Sequence, residues 1–538
     1  MRAEVFLQGL VAFLIVSFGV PSFAPILGPV AAAFGYAIFW RAIRIYPFAK
    51  QRFWRAFLWY GAVSLIQLSW MTSIEYQGVY ILLVWVGLCV GVGMQFGLLS
   101  VLIPYNQPLR LPRIFAIAAL WVLLEWSRFF FLCGYSWNLS GLAFCNTSAI
   151  QFASIFGVLG LSFWVVFSNL FGLRAFLRKG IANYMIWLGI ALVPYIFGWS
   201  HLSYHQKSIS KAEQYSCLLV QTGLLPSEKV PIQGKIRAFV SPYEQWSNIL
   251  AYIKEHQDKG VDLIALPEAA VPFSSGAMVY DQKTVQKVFR QTFGPNVEES
   301  FPEEDRSAER VTNLYWAKTI ANLFGAEVVM GLDHTDEVGG AYNCAFHFSP
   351  GSSTPSRYDK RVLMPLAEYL PFRFLGPLVK YYGITGFFTP GKNAVVFEGK
   401  VPLSASICYE ETFPHKVREG RLRGAKLFVN VTNDGWYPFS RLSSQHFEHA
   451  KFRAIENGIP LVRSCNTGIT AVIDSVGKCV DRMEECDGEN NPQKGALFAQ
   501  VNLYDYRTPF LLWGNGGIVA LSCLFLGGFL LLRKEFGW

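Results

Sequence analysis

The stretch PLSASICYEE, residues 402–411, is a short apolar run that ends in a cysteine and two glutamates. Such a run, bounded by polar residues, is typical of a buried β-strand that gives way to a loop. A neighbouring carboxylate disfavours the thiolate. Cys408 is therefore either an inert buried thiol or a nucleophile whose base and cation come from other parts of the chain.

Short apolar runs alternate with amphipathic stretches from residue 215 onward. The amphipathic stretches predict helices at 243–257, 312–324 and 443–457, and each lies between predicted strands, which indicates a layered α/β domain. The predicted strands are CLLVQTG (217–223), VDLIALPE (261–268), AEVVMGLDH (326–334), NCAFHFS (343–349), PLSASICYE (402–410), KLFVNVTND (426–434), IPLVRSCN (459–466) and ITAVIDS (469–475).

The remainder of the chain is far more apolar than this domain. Of the 538 residues, 52% are hydrophobic, including 45 Phe and 16 Trp, and this exceeds what an ordinary soluble protein carries. A helix that crosses a membrane needs about 20 apolar residues. A cleaved signal peptide is the competing interpretation of the first run, but further runs follow at once. We predict spans near 5–21, 24–40, 54–72, 78–103, 114–133, 150–173, 181–200 and 508–532.

The net charge of +9 does not indicate nucleic-acid binding, because residues 201–507 hold nearly equal numbers of basic and acidic side chains. The basic excess lies in every second loop between the predicted spans. This positive-inside pattern predicts eight crossings, both termini in the cytoplasm and residues 201–507 outside it. The basic clusters are Arg2; Arg41, Arg44, Lys50, Arg52 and Arg55; Arg110 and Arg113; Arg174, Arg178 and Lys179; and Arg533 and Lys534.

The ten cysteines show no spacing typical of a disulfide framework, although Cys479 and Cys486 are close enough in sequence to pair. His446 and His449 would share one face of a predicted helix, but a zinc site needs a third and a fourth ligand, and none is indicated nearby. We expect no metal, nucleotide or redox cofactor.

Three polar residues stand where a strand gives way to a loop: Glu268 ends VDLIALPE, Cys408 ends PLSASIC, and Lys360 follows Arg357-Tyr358-Asp359. Functional sites collect at strand ends in layered α/β folds. A nucleophilic thiol needs a base for its proton and a cation for the developing oxyanion, and Glu and Lys can fill these roles. The spacing alone leaves a non-catalytic alternative open, in which Glu268 is a surface acid, Lys360 a surface base and Cys408 a small buried hydrophobe.

Several segments resemble the nitrilase superfamily. LPEAAVPF (266–273), YDKRVLMPLAEYLPF (358–372) and SICYEETF (406–413) are similar to its Glu, Lys and Cys segments, and HFEHAKFRAIENGIPLVRSCNTGITAVIDSVG (446–477) to the helix and strands that follow. With LEWSRFFFLCGYSW (124–137) and the predicted spans, they are most similar to the membrane-embedded branch, the apolipoprotein N-acyltransferases. The resemblance covers essentially the whole chain.

This resemblance implies a multi-span α-helical membrane domain joined to an extracytoplasmic α/β nitrilase-like domain, an αββα sandwich. The corresponding boundaries are 1–200 with about seven transmembrane helices, 201–507 for the catalytic domain, and 508–538 for a last transmembrane helix and a short cytoplasmic tail. The implied location is the bacterial inner membrane, with the catalytic domain on the periplasmic side.

The resemblance also assigns roles to single residues. Glu268 takes the place of the general base, Lys360 that of the oxyanion-stabilising residue and Cys408 that of the nucleophile, while Glu368 matches a second essential glutamate. Val230 stands where the family has a Trp after its first strand. The two residues that match those after the family's cysteine are Tyr409 and Glu410. Glu410 either acts directly or holds Lys360 or a loop amide in place.

The implied activity is transfer of a fatty acyl group from a membrane phospholipid, through a thioester on Cys408, to the N-terminal amino group of diacylglyceryl-cysteine in apolipoproteins. YYGITGFF (381–388) would form a lipid-facing arm. No nucleic-acid partner is expected. Two alternatives remain open: a membrane-tethered amidase or nitrilase that hydrolyses a small amide, and a non-catalytic membrane assembly protein.

Overall fold

The computed structural model describes residues 2–20, 23–232, 238–303, 308–372, 374, 376–377, 386–487 and 491–536. The chain divides into two compact units. The first comprises Met1–Lys207, Ser440–Asn457 and Arg507–Trp538, and the second comprises Ser208–Phe439 and Gly458–Tyr506. The domain boundaries at 200 and 507 stay a prediction, and residues 440–457 belong to the first unit.

The helices and strands follow one another along the whole described chain. The helices are α1 (Arg2–Phe18), α2 (Leu27–Ile43), α3 (Ala49–Gln67), α4 (Ile81–Val101), α5 (Leu111–Ser127), α6 (Ala153–Arg178), α7 (Ile181–Ile209), α8 (Pro226–Lys229), α9 (Pro242–Lys254), α10 (Gln282–Phe293), α11 (Asn313–Phe324), α12 (Pro414–Leu422), α13 (Leu442–Asn457) and α14 (Pro509–Phe536). The strands are β1 (Gln214–Gln221), β2 (Leu263–Leu266), β3 (Tyr280–Asp281), β4 (Arg310–Val311), β5 (Glu327–Thr335), β6 (Ala341–Phe348), β7 (Ser356–Asp359), β8 (Leu403–Ile407), β9 (Leu427–Thr432), β10 (Leu461–Cys465), β11 (Thr470–Ile473), β12 (Cys479–Met483) and β13 (Gly495–Asn502).

A helix overlaps each of the eight predicted membrane spans. In the part of the chain that the structure describes, four helices are long and apolar enough to cross a membrane: Ile81–Val101, Ser148–Arg178, Ile181–Ile209 and Pro509–Leu532. At 1.5 Å per residue, α4 alone is about 31 Å long, which matches the hydrocarbon core. Helices α1 and α2 are apolar but shorter. The prediction of transmembrane helices is confirmed, and the count of eight crossings stays a prediction.

Helix α13 lies between β9 and β10 in sequence, yet its side chains bond to the first unit. Gln445 accepts a hydrogen bond from the indole of Trp70 at 3.1 Å and donates to the carbonyl of Gln67 at 2.9 Å. Glu456 accepts the N–H of Val158 at 2.9 Å. Because buried polar groups must find partners, these bonds explain why α13 groups with the apolar helices.

The bond to Val158 lies at a break in helix α6. Gly157 has φ +67°, which only glycine adopts without strain, and a Cβ there would lie 2.6 Å from the ring of Phe510. The first N–H groups of the helical segment that restarts at Val158 have no acceptor within the helix. The carboxylate of Glu456 accepts the N–H of Val158 and so caps this segment.

The second unit contains two large sheets, each with a group of parallel strands beside antiparallel ones, and a small antiparallel sheet of β3 and β4. The order is β13-β1-β2-β5-β6-β7 in one sheet and β12-β11-β10-β9-β8 in the other. Strands β1, β2 and β5 run parallel, as do β8, β9 and β10. All eight predicted strands are present. The sequence pattern missed β7, β12 and β13 of these sheets and the short strands β3 and β4. Most side chains of β7, β12 and β13 are exposed or only partly buried, so these strands show no buried run.

The alternation of side chains along the strands builds the layers. Leu219, Ala265 and Val329 of the first sheet share one buried cluster with Ile407 and Val429 of the second, so these faces of the two sheets pack together. The opposite face of the first sheet packs against α9 and α11, and α12 lies against Ser404 and Phe428 on the outer face of the second. The predicted αββα sandwich is confirmed.

Candidate active site

The three predicted site residues follow the carboxyl ends of three strands. Glu268 comes two residues after β2, Lys360 directly after β7 and Cys408 directly after β8. The structure brings the charged members into contact. The Nζ atom of Lys360 lies 3.0 Å from Oε1 of Glu268 and 2.8 Å from Oε1 of Glu368. Residues that are 92 positions apart in the sequence thus form one buried ion pair.

The ammonium of Lys360 is only 2% exposed. Burial disfavours its charged form, but the carboxylates of Glu268 and Glu368 outweigh burial and raise the pKa of Lys360 well above its usual value. Asn343 at the centre of this group donates 2.8 Å and 3.1 Å hydrogen bonds to Oε1 of Glu268 and Oε1 of Glu368. Lys360 is therefore a permanent cation held between two carboxylates.

The thiol of Cys408 lies beside this cluster at a sharp bend of the chain. Cys408 has φ +50°, a left-handed conformation that is strained for a residue with a side chain, and it begins the 3₁₀ turn Cys408–Thr412. Burial raises the pKa of the thiol, Glu268 raises it further and Lys360 opposes both. The resting group is a neutral thiol, so an attack by sulfur requires a base to take its proton.

Glu410 is occupied by hydrogen bonds from both sides. Its Oε1 accepts the main-chain N–H groups of Arg361 at 2.6 Å and Val362 at 3.1 Å. Its Oε2 accepts the N–H of Ile407 at 2.9 Å and the hydroxyl of Tyr358 at 2.8 Å. The carboxylate thus links the loop after Lys360 to the strand before Cys408, which is the loop-amide contact that the sequence left as one alternative.

The remaining predicted residues occupy different places. Tyr409 is buried, with its ring edge-on to Phe413 at 4.9 Å. Val230 is 40% exposed at the end of α8. Of the predicted lipid-facing arm 381–388, residues 381–385 lie outside the described residues, and the N–H of Phe388 donates to the carbonyl of Glu368 at 2.8 Å.

Sequence reasoning missed three polar residues that contact this cluster: Asn343, Lys229 and Asn466. Asn343 lies in a segment recognised only as a strand, and its inward direction follows from pairing β6 between β5 and β7. The main-chain carbonyl of Glu268 accepts hydrogen bonds from Lys229 at 3.1 Å and Asn466 at 2.6 Å. A single polar residue in a strand, a four-residue helix or a loop carries no periodic signal, so only its neighbours in space mark it.

The described residues hold no group of three or more His, Cys, Asp or Glu side chains arranged for a metal ion. Cys479 and Cys486 are free thiols, so the alternative pairing is not formed.

Two family models match the chain. Residues 15–171 match the apolipoprotein N-acyltransferase N-terminal domain, and residues 232–503 match the carbon-nitrogen hydrolase family. The apolipoprotein N-acyltransferase of Chlamydia caviae is 32% identical, with 98% of this chain and 99% of the relative covered. That of Chlamydia pneumoniae is 29% identical, with 98% of each chain covered. The apolipoprotein N-acyltransferase of Chlamydia trachomatis is 29% identical, with 96% of this chain and 95% of the relative covered.

Proposed function

The chain belongs to the apolipoprotein N-acyltransferase family, and we propose that it transfers a fatty acyl group from a membrane phospholipid to the N-terminal amino group of diacylglyceryl-cysteine in apolipoproteins. The observation that carries the proposal is a permanent cation, Lys360, held between Glu268 and Glu368 beside the neutral thiol of Cys408. This arrangement supports the roles of nucleophile for Cys408, base for Glu268 and oxyanion partner for Lys360.

In the first half-reaction, the sulfur of Cys408 attacks the ester carbonyl carbon of the phospholipid while Glu268 takes the thiol proton. The ammonium of Lys360 stabilises the negative charge that develops on the carbonyl oxygen. The ester C–O bond then breaks, and the proton on Glu268 passes to the leaving oxygen of the lysophospholipid. The acyl group remains on Cys408 as a thioester.

In the second half-reaction, the α-amino nitrogen of the acceptor attacks the thioester carbonyl, and Glu268 takes a proton from that nitrogen. An amide forms, the C–S bond breaks, and the proton returns to the sulfur of Cys408. Water competes with the amine at this stage, so the acyl-enzyme must be shielded from it. The exposed, stacked rings of Phe372 and Phe374 support a lipid-facing approach just before the predicted arm.

Intact-mass analysis of the purified full chain with phospholipid tests the nucleophile. We expect a single acyl adduct that maps to Cys408 and is absent from Cys408→Ser. The matched variants Cys465→Ser and Cys479→Ser remove other thiols of the second unit and should keep the adduct. An adduct of normal yield in Cys408→Ser would refute the thioester mechanism.

Discharge of the acyl-enzyme separates transfer from hydrolysis. The adduct should persist with phospholipid alone and disappear when a diacylglyceryl-cysteine peptide is added, with ping-pong kinetics. Rapid release of free fatty acid at a rate that the peptide does not change would instead favour a hydrolase.

Reporter fusions test the proposed orientation in the bacterial inner membrane. With both termini in the cytoplasm, a reporter after Lys207 should be active only outside the cytoplasm and one after Lys179 only inside. Reversed activities would place residues 201–507 on the cytoplasmic side and contradict the proposed location of the catalytic domain.

A further inference from the structure

Lys229 is a buried lysine that the mechanism above does not use. It ends the short helix α8, which follows β1, and only 4% of the residue is exposed. Its Nζ atom donates to the main-chain carbonyl of Glu268 at 3.1 Å and to Oδ1 of Asn466 at 2.8 Å. Both acceptors are neutral oxygens, and within the described residues Lys229 forms no ion pair with a carboxylate.

A buried amine without an ion-pair partner is costly in its charged form. Burial lowers the pKa of Lys229 to about 7, although Glu268 and Asp333 favour the ammonium. Burial together with the charge of Glu268 raises the pKa of Asp333 to about 6. Lys229 thus faces two carboxylates at a distance too long for direct pairing, and perturbed groups of this kind cluster at functional sites.

Asn466 completes the contact with Glu268. This fully buried residue follows β10, and its Nδ2 donates to the carbonyl of Glu268 at 2.6 Å. Its Oδ1 accepts both Lys229 and the hydroxyl of Thr222, the latter at 2.9 Å. Its own main-chain carbonyl accepts the N–H of Gly223 at 2.7 Å. Asn466 is therefore held on every side, and it fixes one hydrogen bond to Glu268.

The peptide group after Glu268 requires such support. Ala269 has φ +40°, a conformation that residues with a side chain rarely adopt. The backbone of Gly331 approaches so closely that a Cβ there would lie 2.5 Å from Cα of Glu268. A displacement of the main chain at this point would move the side chain of Glu268 relative to Lys360. Two donors on the carbonyl of Glu268 hold the main chain against that displacement.

We infer that Lys229 is a positioning residue for the proposed reaction: together with Asn466 it holds the main chain of Glu268 and places a positive charge near Glu268 and Asp333. This inference rests on the proposed function, because it concerns the base of that mechanism. Lys229 acts through Glu268 and does not touch the substrate.

The test is the rate of acyl-adduct formation by the full chain in phospholipid-containing nanodiscs, measured by intact mass in a single turnover. Lys229→Met keeps the length and the apolar stem of the side chain and removes the amine. We expect the rate to fall about 10- to 100-fold, the effect of a small misplacement of a catalytic group. The phospholipid concentration at half-maximal rate should not change, nor should the melting temperature fall. Lys259→Met, which removes an exposed lysine of the same unit, is the control.

The pH profile separates positioning with charge from a purely structural role. Below pH 7 the amine of Lys229 is protonated, and this cation favours the ionised form of Asp333, whose pKa is raised to about 6. Removal of the cation favours protonation of Asp333, so the acid limb of the acylation profile should move to higher pH in Lys229→Met. Lys229→Arg retains a cation, and its acid limb should stay at the wild-type position. If Lys229 served packing alone, the acid limb would stay at the wild-type position in both variants.

The outcomes are distinguishable from one another. If the wild-type chain forms no acyl adduct, the proposed function fails. If the wild type is acylated and Lys229→Met reacts at the same rate with the same acid limb, only the inference about Lys229 is overturned. If Lys229→Met does not fold, Thr222→Val removes a neighbouring donor to Asn466 with no change of shape. Its acylation should slow a few-fold, and an unchanged rate would overturn the inference.

Discussion

Lys360 and Arg463 are both buried between two carboxylates in the second unit, but only Lys360 adjoins the thiol. The guanidinium nitrogen Nη1 of Arg463 lies 2.9 Å from Oε2 of Glu411, and its Nη2 lies 3.5 Å from Oδ2 of Asp434. All three of these side chains are at most 1% exposed. The cluster of Lys360 is less enclosed, because the side chain of Glu368 is 13% exposed and Cys408 is half-buried.

The difference teaches that a buried ion pair is not by itself a sign of catalysis. A guanidinium is planar and bonds its partners in fixed directions, whereas an ammonium is a compact charge that can serve a carboxylate and then a developing oxyanion. Arg463 belongs to a fully buried ion-pair network that links β10 to the residues after β8 and β9. Lys360 has the thiol of Cys408 beside it, and its cluster reaches the surface through the partly exposed Glu368.

The largest expected effect is that of Lys360→Met. It removes the proposed oxyanion partner and leaves Glu268 and Glu368 without their cation. Single-turnover acylation should fall by about 10²–10³-fold, the loss found when one oxyanion donor is removed. Stability should fall as well, because breaking a buried pair costs about 3–5 kcal/mol. Intact mass and urea unfolding measure the two effects. Acylation at the wild-type rate would contradict the assigned role.

Arg463→Met should separate stability from chemistry. Glu411 and Asp434 lose their shared cation, so the free energy of unfolding should fall by about 3–5 kcal/mol, as for Lys360→Met. Acylation per folded molecule should stay far closer to the wild-type rate than in Lys360→Met, since Arg463 makes no contact with Glu268 or Lys360 among the described residues. Equal losses of rate in the two variants would remove the distinction between the clusters.

Glu410→Gln should have a smaller effect. Glutamine keeps one acceptor oxygen but turns an N–H₂ group toward N–H donors, so the loop after Lys360 loses part of its support at a cost of about 1–3 kcal/mol. We expect acylation to slow by about tenfold at that free energy. Glu419→Gln is the matched control, because Glu419 also contacts Arg361 but its side chain is 40% exposed. An unchanged rate in Glu410→Gln would show that the loop does not depend on this carboxylate.

The smallest effect concerns pH. Because the pKa of Cys408 is raised, its thiolate fraction should still be rising at pH 9, where an ordinary thiol begins to level off. Alkylation of Cys408 by iodoacetamide, followed by peptide mass, should therefore increase with pH throughout the range 7–9. Free cysteine measured in parallel gives the reference profile. A plateau below pH 8 would mean that Lys360 outweighs burial and Glu268 at the thiol.

Much of this organisation could be predicted from local patterns. The spans follow from runs of apolar residues, and the strands of the second unit follow from short apolar runs between polar residues. Glu268, Lys360 and Cys408 could be selected because each stands at a strand end. Lys229 and Asn466 could not, because a buried lysine in a short helix and an asparagine after a strand look like surface residues in the sequence.

The chain by itself determined its membrane character, its α/β domain and the residue types at three strand ends, because composition and periodicity are local properties. Only the tertiary structure decided which cation meets which carboxylate. Lys360 is 92 positions from Glu268, and Arg463 is 52 positions from Glu411. Strands β2 and β7 belong to one sheet and β8 to the other. The packing of these two sheets face to face brings the thiol of Cys408 to Lys360, and no pattern along the chain encodes that distance.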